Sequence, residues 1–476
     1  MNVSIVNPPN AAHIVMVKEG RCMQRREAWG YVMAPVTMVT MATLLRDGGH
    51  AVSVIDAAAD EADIEAVLER VTGSAPDLVL INSSTPTIDD DLRFAGILKR
   101  RTAGRAVTAL FGIHPTVMHA DLLQREPGLD FCVVGEPELT ARKLADALEA
   151  GGDGTAVPGL AWLDGSEVRR SPPRPFIADL DSLPIPDWSF VDPARYRLPF
   201  GGPPFLLVNT NRGCPYRCVF CNAHAYYGRK PRRRSVDHIM RELHQDVERF
   251  GVRDFMIWAE EFILDKEFVV ALADAIIRDR LPIRWVCNSR TDAPDRRVLK
   301  KIRDAGCWNI AYGIESGVQS ILDRTRKGIM LAQTREAVAS AREAGLKVTG
   351  HVILGLPGET DGTMAETHRF VKGLNLDYVQ YYCAMPYPGS ELYDTALKEG
   401  WLGAPDWRRF EHNYSVLDYP HLSARRVMSV RRRYFLEYYL QPKVAYAVVR
   451  EHVVGARDLR GVASTVKGFV SWILHD

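Results

Sequence analysis

A chain of 476 residues is long enough for two or three domains, each with its own core, and its 46% apolar and 25% charged residues are those of a globular protein. With 60 Lys and Arg against 59 Asp and Glu, the net charge of +1 excludes the strongly basic balance of a nucleic-acid binder and suggests no polyanionic partner. No run approaches eighteen uninterrupted apolar residues, the start Met1-Asn2-Val3-Ser4-Ile5-Val6 is not that of a signal peptide, and eight cysteines in such a chain point to a reducing, cytoplasmic interior.

Residues 1 to 150 alternate strands and helices. Val3–Val6, Ala51–Ile55, Leu78–Ile81, Val107–Phe111 and Phe131–Val134 are short, β-branched-rich runs. Between them Ile64, Val67, Leu68 and Val71 mark one buried helix face, Leu44-Leu45 ends a helix stopped by Gly48-Gly49, and Asp89-Asp90-Asp91 with Lys99-Arg100-Arg101 match a helix dipole at both ends. The alternation predicts a doubly wound, Rossmann-like parallel sheet, whose ligands lie beyond the carboxyl ends of the strands. The segments there are Asn7-Pro8-Pro9, Asn82-Ser83-Ser84-Thr85, Gly112-Ile113-His114-Pro115 and Gly135-Glu136-Pro137-Glu138, small, polar or Gly/Pro-rich, which suits a large polar cofactor. No G-x-G-x-x-G follows the first strand, which argues against a dinucleotide. Residues 151 to 200 are rich in Pro and Gly and read as a linker with a small hairpin around Asp164-Gly165.

From 201 to 390 the units lengthen. Strands are expected at Phe205–Val208, Phe255–Trp258, Arg284–Cys287, Asn309–Tyr312, Val348–Leu354 and Tyr378–Tyr382, with helices between, which predicts a partial (β/α)6 TIM-like barrel with its chemistry at the strand C-termini. The loop after the first of these strands reads Gly213-Cys214-Pro215-Tyr216-Arg217-Cys218-Val219-Phe220-Cys221. Thiolates spaced C-x3-C-x2-C converge on one soft metal centre, and an iron–sulfur cluster held by three of them keeps one iron open. A zinc site missing a ligand and chance clustering are the alternatives. The other cysteines, Cys22, Cys132, Cys287, Cys307 and Cys383, are scattered and read as buried small hydrophobes. Residues 391 to 476 are expected to be helical, with Arg425-Arg426, Arg431-Arg432-Arg433, Tyr434, Phe435, Tyr438, Tyr439 and Trp472. Such a stretch either touches a membrane or a greasy substrate, or caps the barrel with its arginines toward water; the cap is the preferred reading.

The cysteine loop resembles the signature of radical S-adenosylmethionine (SAM) enzymes. Cys287-Asn288-Ser289-Arg290, Gly306-Cys307, Gly313-Ile314-Glu315-Ser316-Gly317, Lys327-Gly328, Gly355-Leu356-Pro357-Gly358-Glu359 and Pro386-Tyr387-Pro388-Gly389 are similar to the subgroup with an N-terminal cobalamin-binding domain. That subgroup includes methylases and the anaerobic oxidative cyclase of bacteriochlorophyll synthesis. The likeness extends over residues 1 to 440 and takes in Gly48-Gly49-His50, Asp56, Ile113-His114-Pro115-Thr116 and Val134-Gly135-Glu136.

The resemblance implies three cofactors: a 4Fe-4S cluster on Cys214, Cys218 and Cys221, SAM, and cobalamin. It implies a cluster electron that cleaves SAM, a 5′-deoxyadenosyl radical that abstracts a substrate hydrogen, and an external donor of flavodoxin or ferredoxin type. Phe220 flanks the cluster; Glu260 or Glu261 would take the methionine ammonium, Arg290 its carboxylate, Glu315 and Ser316 the ribose, and Gly355 to Gly358 the adenine. Ser84, Thr85, Gly112, His114, Pro115, Gly135 and Glu136 would contact cobalamin. No histidine has an aspartate two residues before it, so the D-x-H-x-x-G motif that ligates cobalt elsewhere is absent. The expected reaction is methylation of an unactivated carbon of a small molecule; an oxidative cyclisation or rearrangement of a lipid-like or tetrapyrrole substrate, and a redox or cobalamin-sensing binding protein, are the rivals. The methylthiotransferases of transfer RNA need three further N-terminal cysteines, and only Cys22 and Cys132 lie in that half. Arg229-Lys230 and Arg232-Arg233-Arg234 read as a solvated basic face before Ser235, a helix N-cap.

Overall fold

The computed structural model describes residues 1–10, 16–19, 22–25, 32–198, 202–292 and 295–451. Residues 26–29 and Trp472 lie outside the described residues.

The N-terminal sheet is built from β1 (Asn2–Asn7), β4 (Ala51–Asp56), β5 (Leu78–Asn82), β6 (Val107–Phe111), β7 (Phe131–Val133), β8 (Leu160–Asp164) and β9 (Glu167–Arg170); a separate hairpin, β2 (Met16–Glu19) with β3 (Cys22–Arg25), follows β1. Its order is β4-β1-β5-β6-β7-β8-β9, and the first five strands are parallel. These strands read as unbroken apolar runs because both faces are covered. Leu78 and Leu80 meet Met38, Met41, Leu45, Ala141 and Leu144 on one side, while Val79 and Ile81 meet Val67, Leu68, Val71, Leu92 and Leu98 on the other. The helices Val36–Asp47 and Pro137–Glu149 thus lie opposite Ile64–Gly73 and Ile88–Arg101.

One difference from the sequence reading concerns the hairpin around Gly165. It does not stand in a linker but extends the sheet, with β8 antiparallel to β7 through Cys132–Ala161 and Val133–Leu160. Leu160 and Ala161 are buried there, so the hairpin covers what would otherwise be an open strand edge.

The second sheet holds β10 (Phe205–Asn209), β13 (Asp254–Trp258), β14 (Arg284–Ser289), β15 (Cys307–Glu315), β16 (Lys347–Leu354) and β17 (Tyr378–Cys383), parallel and in chain order. With β10 and β17 at its ends it is a six-stranded partial barrel. Two short strands, β11 (Asn211–Arg212) and β12 (Arg232–Arg233), pair antiparallel and bracket the cysteine loop.

The helix Ala424–Tyr439 closes the barrel beside β17. Tyr434, Phe435, Tyr438 and Tyr439 are buried, and the Tyr438 and Tyr439 hydroxyls donate to the carbonyls of Leu376 (2.7 Å) and Val379 (2.9 Å). Arg425, Arg426 and Arg433 face solvent, as the cap reading expects. Arg431 is the exception: it is buried and donates to the Tyr381 carbonyl (2.7 Å) and Asn413 Oδ1 (2.5 Å). No described helix is long and apolar enough to cross a membrane.

Candidate active site

The cysteine loop alternates in direction. Cys214, Tyr216, Cys218, Phe220 and Cys221 line a cavity of about 300 Å³ at the C-terminal mouth of the barrel, while Pro215 and Arg217 face outward. The loop is held by backbone bonds from Cys214 N–H to the Gly228 carbonyl (3.3 Å) and from Val219 N–H to the Thr325 carbonyl (3.1 Å). Among the described residues no three His, Cys, Asp or Glu side chains already converge as ligands of a single ion. Thiolates that grip separate irons of one cluster stand farther apart than the ligands of one ion, so a shared cavity wall suits a cluster. Burial pushes the Cys218 thiol up, while Lys327 and Arg290 favour its thiolate.

The facing wall comes from strand positions two apart: Met256 and Trp258, Ala311, Gly313 and Glu315, His351 and Ile353, Gln380 and Tyr382. The residues between them pack outward against the helices. Glu315 ends β15 with φ of +61°, a conformation rare for a non-glycine residue and concentrated at functional sites. There it accepts a hydrogen bond from Lys327 Nζ at 2.6 Å, both groups buried. Burial works against the Lys327 charge, and Glu315 and Cys218 together more than restore it, so its pKa is raised. A Cβ at Gly313 would lie 2.6 Å from Glu315 Oε1 and 2.8 Å from Lys327 Nζ, so only glycine keeps this cradle open. Asn288 Oδ1 is buried on the same wall with no hydrogen-bond partner. An ion pair in a cradle, an unsatisfied carbonyl and three thiols fit a small zwitterionic cofactor beside a cluster.

Glu260 and Glu261 both line the cavity. Glu261 accepts from Ser289 Oγ (2.7 Å) and from the Arg290 N–H (2.9 Å), and burial pushes its carboxyl up. It fastens the turn after β14. Arg290 also lines the cavity, with both edges of its guanidinium engaged by protein groups.

Ser316 and Gly355 are not on the cavity wall. The Ser316 hydroxyl bonds Thr367 Oγ1 (3.1 Å) and accepts from Val318 N–H (3.2 Å), so it fastens the strand end to the helix Asp361–Leu374. Gly355 donates its N–H to Glu359 Oε2 (2.6 Å), and its carbonyl accepts from the Tyr419 hydroxyl (2.8 Å). Burial pushes the Glu359 carboxyl from its ordinary 4.5 up to about 8, against the N–H groups of Leu356 and Gly355. Between those values the folded chain keeps a proton that the unfolded chain has released, so this contribution is full below about pH 4.5 and lost as pH rises through about 8. Glu359→Gln is expected to flatten the stability–pH curve across that window and to exceed the parent in stability at higher pH. Urea titrations at several pH values with an unchanged slope would count against it.

Several of the residues expected at cobalamin are engaged by neighbouring protein groups. Ser84 and Thr87 hydroxyls bond each other (3.0 Å), and His114 Nδ1 bonds Thr85 Oγ1 at 3.1 Å. His114 is fully buried against the edge of Trp407, its pKa lowered by burial to about 3. Gly112, at φ +125°, brings β6 so close to β5 that a Cβ would lie 2.1 Å from the Ser83 carbonyl oxygen. Pro115 is buried in the helix Ile113–Arg125, and the Gly135 N–H donates to Thr116 Oγ1 (3.1 Å). Glu136 instead accepts from Arg212 (3.1 Å), Arg232 (2.8 Å) and the Ile177 N–H (2.7 Å), an ion cluster joining the two sheets' domains. The basic run is therefore not one solvated face: Arg232 and Arg234 are inward and paired, the latter with Glu242, while Arg229, Lys230 and Arg233 are exposed. Where the N-terminal part meets the cavity the wall includes Met33, Met385 and Tyr387, apolar groups of the kind that pack against a flat ring.

Two parallel α/β units, the second a partial barrel with three thiols at its mouth, define a cofactor-dependent enzyme with a separate domain for a second cofactor. Residues 208–371 match the radical SAM superfamily, and residues 27–145 match the B12 binding domain. The chain is 30% identical over 465 residues to an uncharacterized methyltransferase of Pyrococcus horikoshii, covering 97% of this chain and 98% of that one. It is 31% identical to the anaerobic magnesium-protoporphyrin IX monomethyl ester cyclase of Cereibacter sphaeroides, over 71% of this chain and 56% of that one. Its fold is similar to that of the radical SAM methyltransferase TsrM of Kitasatospora setae, solved with cobalamin and a [4Fe-4S] cluster: TM-score 0.68, 21% identity, 85% of this chain and 76% of that one. The chain belongs to the radical SAM enzymes with an N-terminal B12-binding domain. The cofactors of that family are a 4Fe-4S cluster, SAM and cobalamin, and its members need a reductant.

Among the wall residues, Asn288 and Lys327 stand in the quoted motifs without an assigned role, and His351, Gln380, Tyr382 and His412 have no site counterpart in the sequence reading. The strand members among them obey the period of two set by Met256 and Trp258, a signal present in the sequence. His412 follows no such rule; it arrives through the segment after the barrel and lies tilted against Tyr382, 5.1 Å between ring centroids.

Proposed function

We propose that this chain is a cobalamin-dependent radical SAM methylase that transfers a methyl group to an unactivated carbon of a small molecule. The observation that carries it is the cavity in which three thiols face the Lys327–Glu315 pair across the Gly313 cradle. When bound, the cluster and SAM supply a hydrogen-abstracting radical, and cobalamin supplies a methyl group. Cys214, Cys218 and Cys221 would ligate three irons, with Phe220 packed beside them. Glu260 or Glu261, both on the cavity wall, would take the methionine ammonium. Glu315, oriented by Lys327, would accept from the ribose hydroxyls, and Asn288 Oδ1 would accept a further N–H or O–H of SAM.

In this reading residues 1–150 hold cobalamin, with Met33, Met385 and Tyr387 on its barrel side; residues 201–390 perform the radical chemistry; and the described residues after 390 cap them. The donor of the electron would be a flavodoxin or ferredoxin in a reducing cytoplasm. The aromatic C-terminal helix no longer argues for a lipid substrate, because its rings are buried. His351, Gln380, Tyr382 and His412 line the cavity instead, and they favour a substrate with hydrogen-bonding groups.

The likeness to the cyclase supports one rival, oxidative cyclisation without methyl transfer. SAM labelled in its methyl group separates the two. Label recovered in the product, with 5′-deoxyadenosine formed alongside, is the expected result; 5′-deoxyadenosine without labelled product would favour cyclisation.

A further inference from the structure

We propose that Arg290 sets the electron affinity of the cluster through its guanidinium beside Cys218, and does not anchor the SAM carboxylate. The inference rests on the cluster being held by Cys214, Cys218 and Cys221. Arg290 Nη1 lies 4.0 Å from Cys218 Sγ, the reach of an N–H···S hydrogen bond. Nothing else about this side chain is left to choice. Its Nε–Nη2 edge forks onto Asp292 (3.1 and 2.8 Å), and Nη2 also donates to the Lys327 carbonyl at 2.6 Å. Its face stacks on Tyr216, 3.6 Å from the ring centroid, and its own backbone N–H is pinned by Glu261.

A bidentate grip on a ligand carboxylate needs two parallel N–H groups from one edge of the fork. One edge is occupied by Asp292, and the other is divided between the Lys327 carbonyl and Cys218. The group that cannot turn to SAM is the one that touches a cluster thiol. A fixed cation donating to a ligating sulfur favours the cluster form with one more electron and raises its reduction potential. Asp292 holds the cation in place and offsets part of its charge. The pair therefore makes opposite contributions, and that difference in sign distinguishes charge-setting from a merely structural role.

The test uses the full chain, reconstituted anaerobically with iron and sulfide. The midpoint potential of the SAM-free cluster is followed by electron paramagnetic resonance, and SAM affinity by equilibrium binding. Arg290→Met is expected to shift the potential downward and Asp292→Asn upward, with SAM affinity changed by less than about tenfold, below the loss of a charged hydrogen-bonded pair. Arg290→Lys, which keeps the charge but not the fork, is expected to lie between Arg290→Met and the parent, and it replaces Arg290→Met should that variant hold no cluster. Potentials equal to the parent's, or shifts of the same sign for both partners, overturn the inference. An unmoved potential with SAM binding weakened beyond about tenfold assigns Arg290 to the carboxylate instead. A parent chain that forms no cluster defeats the functional reading itself, whereas a cluster with unmoved potentials defeats only the role of Arg290.

Discussion

Replacing any one of Cys214, Cys218 or Cys221 by alanine is expected to abolish the cluster and, with it, all reductive cleavage of SAM. A cluster with one iron already open retains too few protein ligands when a thiolate is removed. The loss of 5′-deoxyadenosine formation should reach at least about three orders of magnitude, the equivalent of about 4 kcal/mol in the barrier. Alanine at Cys132 or Cys307 is the control: both thiols are buried away from the cavity, and neither replacement should alter iron content. Cys383 is the sharper comparison, because it lines the cavity and its sulfur approaches Met428 Sδ at 3.7 Å. Iron and sulfide analysis with the visible absorption of the reconstituted variants checks the assignment. A cluster kept in Cys218→Ala, or lost in Cys383→Ala, would refute it.

What the sequence made legible follows from where the information is local. The strands announce themselves because each is a short β-branched run, and the three thiols because their ligand spacing is contained in one loop. The helix Ile88–Arg101 starts and stops where its acidic and basic turns place it, although Asp91 is drawn inside by Lys18 at 2.8 Å from the β2–β3 hairpin. Side-chain direction is another matter. Ser316 follows Glu315 in one motif, but the strand alternation turns one residue into the cavity and the next into the helix packing. Gly355 follows Ile353 by two, but the strand ends at Leu354 and the alternation ends with it. Glu136 reads as a cofactor contact at the end of a strand until Arg212 and Arg232, 76 and 96 residues later, are folded against it. These are partners at long sequence separation, which no local pattern encodes.

That same cluster gives the largest expected effect on stability. Arg212, in β11, lies directly before Gly213 and Cys214, with its side chain buried between Glu136 (3.1 Å) and Glu138 (2.5 Å) and its guanidinium 5.2 Å from the Tyr227 ring centroid. One fork thus ties two carboxylates of the N-terminal domain to the start of the cysteine loop. Arg212→Met keeps the stem's packing but leaves Glu138, whose Oε2 already has no hydrogen-bond partner, as a buried carboxylate without its cation. Removing one member of a buried pair typically costs about 3–5 kcal/mol, far more than the pair is worth against a hydrophobic substitute. Arg232 continues to serve Glu136, so the damage falls on Glu138. Arg212→Met with Glu138→Met is accordingly expected to recover most of the loss, because no charge is then stranded. Arg212→Lys should recover little, since a single ammonium cannot reach both carboxylates as a planar fork does. Urea unfolding of the four proteins measures all of this. A cost below about 1 kcal/mol for Arg212→Met, the value of a solvated surface pair, would mean that the two domains are not fastened at this point.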